Sequence, residues 1–198
     1  MIDYRNHTND FDDQFWIENI QKGDEESFEF LFKKYYLPLT RFAWRYVNSK
    51  AIAEELVQEI FTIIWEKRKD LDTTGSVRSY LYKSVRNLSI NQLNHHELKN
   101  RYDRQWTSQR ENPEITFHDE IREEQIRHAI ATAIEELPPR SKMTYKLHRY
   151  DGLTYGEIAE VMEVSVKTVE SQMTRTLKIL RERLSYLLPY LLIALLAG

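Results

Sequence analysis

The chain has 198 residues, a net charge of −3, 41% hydrophobic and 12% aromatic content, and no cysteine. That apolar content suits one or two packed domains, while the missing thiols exclude disulfides, thiolate metal sites and a cysteine nucleophile. Five Gly, five Pro and long runs of 3.6-residue periodicity predict an all-α protein: two helical domains joined by a linker, the C-terminal one a helix-turn-helix.

Residues 1–23 read as an N-terminal extension with a short helix over 12–22, ended by Gly23. The opening M-I-D-Y-R-N-H-T-N-D is polar and holds no apolar export core, which with the absence of Cys predicts a cytoplasmic protein. Residues 24–98 form the first predicted domain. Asp24 caps a helix that runs through Phe28, Leu31, Phe32, Tyr35, Leu39, Phe42 and Tyr46, with a kink expected at Pro38.

A third helix spans about Ala51 to Lys69. Ile52, Leu56, Ile60, Ile63 and Ile64 form its expected core face, and Glu54, Glu55, Gln58 and Glu59 lie opposite. Trp65 falls roughly 20° from Glu54 and Gln58, and Phe61 borders the same strip. Acidic residues beside large aromatics suit a protein-docking surface; the alternative is that Trp65 packs on the opening helix.

Asp70 to Ser76, D-L-D-T-T-G-S, is a loop by composition. A fourth helix, about Val77 to Leu98, is expected to bury Leu81, Val85 and Leu88. Lys83, Asn87, Asn91 and Asn94 make a separate polar stripe. Asn is poorly suited to helix interiors, so its repetition on one stripe wants a reason; an amide that donates and accepts at once suits base recognition, and a solvated polar face is the other reading. Lys83 and Arg86 would meet phosphates, and Tyr80 and Tyr82 would either stack on an unpaired base or pack.

Residues 99–122 lose this periodicity and read as a linker. Glu111, Glu114, Asp119 and Glu120 within it are either nucleic-acid mimics or solvated charge. Residues 123–185 are the second predicted domain, with a pause at Pro138-Pro139. Within it, Thr154 with Glu157 forms a capping box stapled by Leu153 and Ile158, and Ser165 caps the next helix with Val164 and Val169 as staple. Only about Glu163 to Ser165 remain for the turn. On the last helix Val166, Val169, Met173, Leu177, Leu180 and Leu184 form the expected core stripe. Lys167, Thr168, Ser171, Arg175 and Lys178 lie opposite, flanked by Glu170, Gln172 and Thr174, residue types that suit phosphates and base edges in a major groove. From Arg140 to Arg183 there are 9 Lys or Arg against 6 Asp or Glu, so a mildly basic end joins an acidic body. Such a balance predicts weak DNA binding unless a partner adds affinity.

Residues 186–198, Y-L-L-P-Y-L-L-I-A-L-L-A-G, form an apolar tail too short to span a bilayer. The tail either packs on one of the domains, contacts a partner protein, self-associates or touches a membrane surface. His96-Glu97 lacks the second His of zincin spacing, and no Gly-rich phosphate loop or nucleophile elbow occurs. No metal, cofactor, small-molecule substrate or enzymatic activity is therefore expected.

The runs E-E-L-V-Q-E-I-F-T-I-I-W, W-E-K-R-K-D-L-D, R-S-Y-L-Y-K-S-V-R-N-L-S-I-N-Q-L, L-P-P-R-S-K, D-G-L-T-Y-G-E-I-A and V-S-V-K-T-V-E-S, in that order, resemble extracytoplasmic-function sigma factors of bacterial RNA polymerase, in the sigma-70 family. The K-T-V-E-S run and the apolar end resemble the branch common in Bacteroidetes. The resemblance implies a region 2 domain at 24–98 and a region 4 domain at 123–185. It implies that Glu55, Gln58 and Glu59, with Phe61 and Trp65 alongside, grip the clamp helices of the largest polymerase subunit, and that the polymerase flap is a further contact. The loop residues Asp70, Asp72 and Ser76, with Lys83, Arg86, Asn87 and Asn91, would read the −10 promoter element and hold an unstacked base. Lys167, Thr168, Glu170, Ser171, Gln172, Thr174, Arg175 and Lys178 would read the −35 element. Relatives often carry Arg-x-Arg where this chain has Glu170 and Gln172, which weakens the phosphate contribution. An anti-sigma factor, often membrane-anchored in this family, would cover the same faces. Two rival readings remain: a helix-turn-helix regulator that binds duplex DNA without polymerase, and a module that binds only proteins.

Overall fold

The computed structural model describes residues 7–71, 75–100 and 121–187, and these are helical almost throughout. Eight α-helices occur among them: α1 (His7–Gln21), α2 (Glu25–Val47), α3 (Lys50–Glu66), α4 (Val77–Asn100), α5 (Ile121–Glu135), α6 (Pro139–Arg149), α7 (Tyr155–Met162) and α8 (Val166–Arg183). Short 3₁₀ turns follow α3 at Arg68–Asp70 and α8 at Ser185–Leu187. Asp72, most of the linker with its four acidic candidates, and tail residues 188–198 lie outside the described residues. No helix of the described residues is long and apolar enough to cross a membrane.

The helix ends follow local chemistry. Asp24 accepts a hydrogen bond from the Ser27 backbone N–H at 2.9 Å and starts α2 directly after Gly23, whose φ of 91° only glycine adopts without strain. Helix α1 begins at His7, earlier than its apolar pattern suggests. It is held by Asp13, which is buried and accepts hydrogen bonds from the Tyr35 hydroxyl and from Lys34 at 2.6 Å. Burial pushes the Asp13 carboxyl pKa up, and the two α2 donors pull against that shift. Helix α2 continues unbroken through Pro38; with a buried face at Leu31, Tyr35, Leu39 and Phe42, packing outweighs one missing N–H.

Helices α1 to α4 pack around α2, with Phe42 fully buried and its ring 5.0 Å from that of Tyr82. In the C-terminal part, α6, α7 and α8 pack on one another. Helix α5 adds a small cluster of Ala133, Ile134, Leu137 and Leu180. The larger apolar cluster does not stop at the domain boundary. It runs from Leu31, Phe42, Ile60 and Leu81 into Leu147, Leu153, Ile158 and Val161, and α7 lies directly on α4.

Ion pairs stitch the same seam. Arg45 on α2 grips Asp151, after α6, through two contacts at 2.5 and 3.2 Å, with the Asp151 side chain 2% exposed. Burial raises the Asp151 carboxyl pKa, and the adjacent guanidinium opposes it. Arg78 at the start of α4 lies 3.2 Å from Glu157 of α7 and donates to the Gly152 carbonyl at 2.9 Å. Both members of the Arg78–Glu157 pair are more than nine-tenths buried. Removing one partner of such a pair strands the other charge, so Glu157→Ala is expected to cost about 3–5 kcal/mol in urea unfolding. A loss below about 1 kcal/mol, the range of surface pairs, would mean that water reaches Arg78.

Candidate nucleic-acid and polymerase interfaces

Three helical surfaces carry the residues singled out in the sequence. On α3, Glu55, Gln58 and Glu59 are exposed, as the apolar pattern requires. The two aromatics expected beside them are not part of that surface. Phe61 is buried, edge-on to Phe28 at 6.0 Å and to Phe32 at 4.9 Å. Trp65 is half-buried, tilted on Phe28 at 5.1 Å, with the Arg68 guanidinium 4.6 Å above its ring. The buried arc of α3 is Ala53, Leu56, Val57, Ile60, Phe61 and Ile64, turned from the Ile52–Ile63 line toward the wide aromatic face of α2. The reason is size: Phe28 and Phe32 reach past the aliphatic stripe and take up the next two aromatics on α3. Trp65 thus packs on Phe28 of α2.

On α4, Lys83, Asn87, Asn91 and Asn94 are exposed along one stripe. Tyr80 is exposed at 41%, but Tyr82 is buried against Phe42 and is unavailable for stacking on a base. Val85 and Leu81 are buried as expected, and Leu88 is half-buried. Asp70 is exposed at the end of the 3₁₀ turn. Ser76, Lys83 and Arg86 all meet carboxylates of α7 or its turn. Ser76 donates to Glu157 at 2.8 Å. Arg86 donates to Glu163 at 3.1 Å and to the Asn87 amide oxygen at 3.3 Å, and Lys83 lies 3.6 Å from Glu163. Arg86 and Lys83 together hold the Glu163 carboxyl below the usual carboxylate range.

The helix-turn-helix forms as its caps dictate. Thr154 accepts from the Glu157 backbone N–H at 3.2 Å, and Glu157 accepts from the Thr154 backbone N–H at 2.8 Å. Leu153 and Ile158 are both fully buried beside this box. Ser165 accepts from the Thr168 backbone N–H at 3.1 Å. On α8, Lys167, Glu170, Ser171, Thr174, Arg175 and Lys178 are exposed. Thr168 is half-buried and shares a hydroxyl contact with Ser165 at 2.8 Å. Gln172 is half-buried, and its amide oxygen accepts from Thr144 at 2.7 Å, so it serves the α6–α8 packing. The core stripe is narrower than the periodicity suggests. Val169, Met173 and Leu180 are buried, whereas Val166 is 45% and Leu177 48% exposed. Val166 opens the helix at the turn, where no other helix of the described residues covers it. Leu177 instead lines a groove of about 500 Å³ with Ile130, Tyr145, Tyr150, Leu180 and Leu184, rimmed by Arg149 and Arg181.

Sequence reasoning missed this groove and the three carboxylates that face the first domain. Asp151 and Glu163 are turn residues with no periodicity of their own, and Glu157 reads from sequence only as a cap. The one advance signal is Glu163 itself, an acidic residue in a turn short enough to need a left-handed position.

Two family models match this chain: the Sigma-70 region 2 model over residues 31–98 and the Sigma-70, region 4 model over residues 127–180. The chain is 28% identical over 175 residues to the ECF RNA polymerase sigma-E factor of Escherichia coli strain K12, covering 82% of this chain and 89% of that one. It is 24% identical over 184 residues to the protein of the same name from Haemophilus influenzae, covering 89% and 97%. Its fold is similar to CnrH solved in complex with the cytosolic domain of CnrY, with a TM-score of 0.59 at 20% identity, covering 88% of this chain and 98% of that one. It is equally similar to the sigma factor RpoE solved with the anti-sigma factor NepR from Bartonella quintana, with a TM-score of 0.59 at 18% identity over 81% and 98%. With both conserved-region models in order along the chain and relatives matched over most of their length, the chain belongs to the extracytoplasmic-function group of sigma-70 family sigma factors, non-enzymatic proteins that direct RNA polymerase to promoters.

Proposed function

We propose that this sigma factor divides its task among three helices: α3 docks on core polymerase, α4 reads and traps the −10 element, and α8 reads the −35 element. The observation that carries this assignment is the pair of exposed polar stripes, Lys83–Asn87–Asn91 on α4 and Lys167–Ser171–Arg175–Lys178 on α8, on two helical units of one chain. Opening a promoter costs a few kcal/mol for each base unstacked. Exposed Asn amides on a rigid helix offset that cost by hydrogen bonding to a base once it leaves the stack. On α8, Lys167, Arg175 and Lys178 supply the phosphate contacts, while Glu170, Ser171 and Thr174 face the base edges.

The acidic strip Glu55, Gln58 and Glu59 is the polymerase contact in this assignment, with Phe61 supporting it from beneath. The apolar groove beside Leu177 and Tyr150 suits a partner helix, and the polymerase flap is the occupant we assign to it. An anti-sigma factor that covers α3 or α4 would exclude polymerase and DNA from the same surfaces. Its existence is supported by the folds shared with CnrH, solved with the cytosolic domain of CnrY, and with the sigma factor RpoE, solved with the anti-sigma factor NepR. The absence of Cys supports a cytoplasmic setting, and the narrower placement in a Bacteroidetes branch rests on the Lys167–Ser171 run and the apolar end alone.

Transcription in vitro with purified core polymerase and upstream host DNA tests the assignment. Replacing Gln58 and Glu59 together by Ala is expected to lower core binding tenfold or more in a competition assay, without altering the fold. Unchanged core binding would remove α3 from the interface.

Asn87→Ala or Asn91→Ala is expected to leave core binding intact and to lower run-off product about 5- to 150-fold, the effect of losing about 1–3 kcal/mol of base contact. Full output from both variants would take the base-reading role away from α4.

A further inference from the structure

We propose that Glu163 is a latch that closes the C-terminal domain over α4, masking the cations that α4 would otherwise offer to DNA. The proposal rests on the assignment of α4 as a DNA-reading helix and adds how access to that helix is controlled.

Glu163 is not needed where it stands for the sake of the turn. It occupies the C-cap of α7 with φ 56° and ψ 48°, in the left-handed region. Its backbone N–H bonds to the Ala159 and Glu160 carbonyls, which any residue would do. Glycine fits this position best, and an L-residue there costs roughly 1–2 kcal/mol. What the side chain adds is contact with the other domain: one carboxylate oxygen 3.1 Å from Arg86 and the other 3.6 Å from Lys83. These are two of the cations on α4 that phosphates would need.

The closed arrangement is incompatible with reading both promoter elements. The −10 and −35 elements are about 25 base pairs apart, roughly 85 Å along B-DNA. A packed chain of this length is only about 40 Å across. Yet α7 lies against α4, and the recognition helix α8 follows α7 after a three-residue turn. The two domains must therefore separate before both elements are engaged.

Glu163 is suited to controlling that separation because its carboxylate and Lys83 are open to water, while its nearer partner Arg86 is 17% exposed. Its side chain is 52% exposed and that of Lys83 47%, in contrast to the buried Arg78–Glu157 pair. Exposed pairs are weak and salt-screened, so they yield readily to competing phosphates.

The chain has no Cys, so Glu26→Cys on α2 and Glu182→Cys at the end of α8, both exposed, place spin labels at two chosen sites of the full chain. Pulsed dipolar spectroscopy then reads the separation of the domains. Glu163→Gly, which relieves the backbone, and Glu163→Lys, which repels Arg86, are each expected to raise the population of a longer distance at least fivefold, with the melting temperature of Glu163→Gly not lowered. In 0.5 M NaCl the unsubstituted chain is expected to shift the same way. Affinity for a dT20 oligonucleotide is expected to rise at least threefold in Glu163→Gly but not in Glu160→Gln, which loses the same charge on the exposed side of α7. Unchanged distances in both Glu163 variants, or equal affinity gains in Glu163→Gly and Glu160→Gln, would overturn the latch. If instead the domains open in these variants while the Asn87 and Asn91 variants still transcribe normally, the latch stands and the promoter-reading assignment of α4 fails.

Discussion

The carboxylate of Glu157 is the point on which the arrangement of this chain turns. One of its oxygens closes the capping box of α7, accepting from the Thr154 backbone and hydroxyl. The other accepts from Ser76 and faces Arg78. A single side chain therefore caps the start of the first helix of the helix-turn-helix and anchors that helix to the start of α4. Because the Arg78 guanidinium also donates to the Gly152 carbonyl, the loop before α7 is fixed by the same contacts. The burial of this charged pair carries a desolvation cost that its mutual attraction only roughly balances. Its value is geometric, since apolar side chains of similar size would hold the two domains together without fixing their register.

That register has a consequence for the surfaces available in the closed chain. Ser76, Lys83 and Arg86 belong to the α4 side that suits nucleic acid, and all three are met by carboxylates from the C-terminal domain. Asn87, Asn91 and Asn94 remain exposed on the same helix. On the proposed assignment of α4, this arrangement pairs its cations with carboxylates and leaves its Asn amides exposed. Phosphate contacts supply most of the affinity of such interfaces, and base contacts most of the selectivity. On that assignment, a chain in this state would keep its base-reading amides free while its phosphate-binding cations are paired.

Helix boundaries were largely legible because they are written in local chemistry. The Asp24, Thr154 and Ser165 caps, Gly23, and the Pro138-Pro139 break each act within a few residues of chain, and each appears in the fold. Buried faces were less legible where the partner decides them. Phe61 and Tyr82 lie at the edges of their helical stripes, and only the aromatic width of α2, with Phe28, Phe32 and Phe42, draws them inward. Leu177 errs in the opposite sense: its periodicity is that of a core residue, yet no helix among the described residues closes over it. The contacts of Asp151 and Glu163 had no local expression, for they depend on Arg45 and Arg86, more than 70 residues away in sequence.

The recognition helix shows why this protein works as part of a larger assembly. Ser171 and Thr174 direct their hydroxyls back to carbonyls one turn earlier, at 2.8 and 2.9 Å, and Gln172 is engaged by Thr144. A base edge must compete with those bonds, so each hydroxyl brings only a modest net gain. Glu170 on the same face opposes the approach of phosphate, set against the exposed cations Lys167, Arg175, Lys178 and Arg181. If all four met phosphates, the salt slope would be only about 3.6, below that of regulators which bind duplex DNA unaided. Such a helix discriminates among sites without holding any of them tightly. That suits a sigma factor, because the polymerase carrying it supplies the remaining affinity, and tight independent binding would trap free chains on promoters without an enzyme to follow.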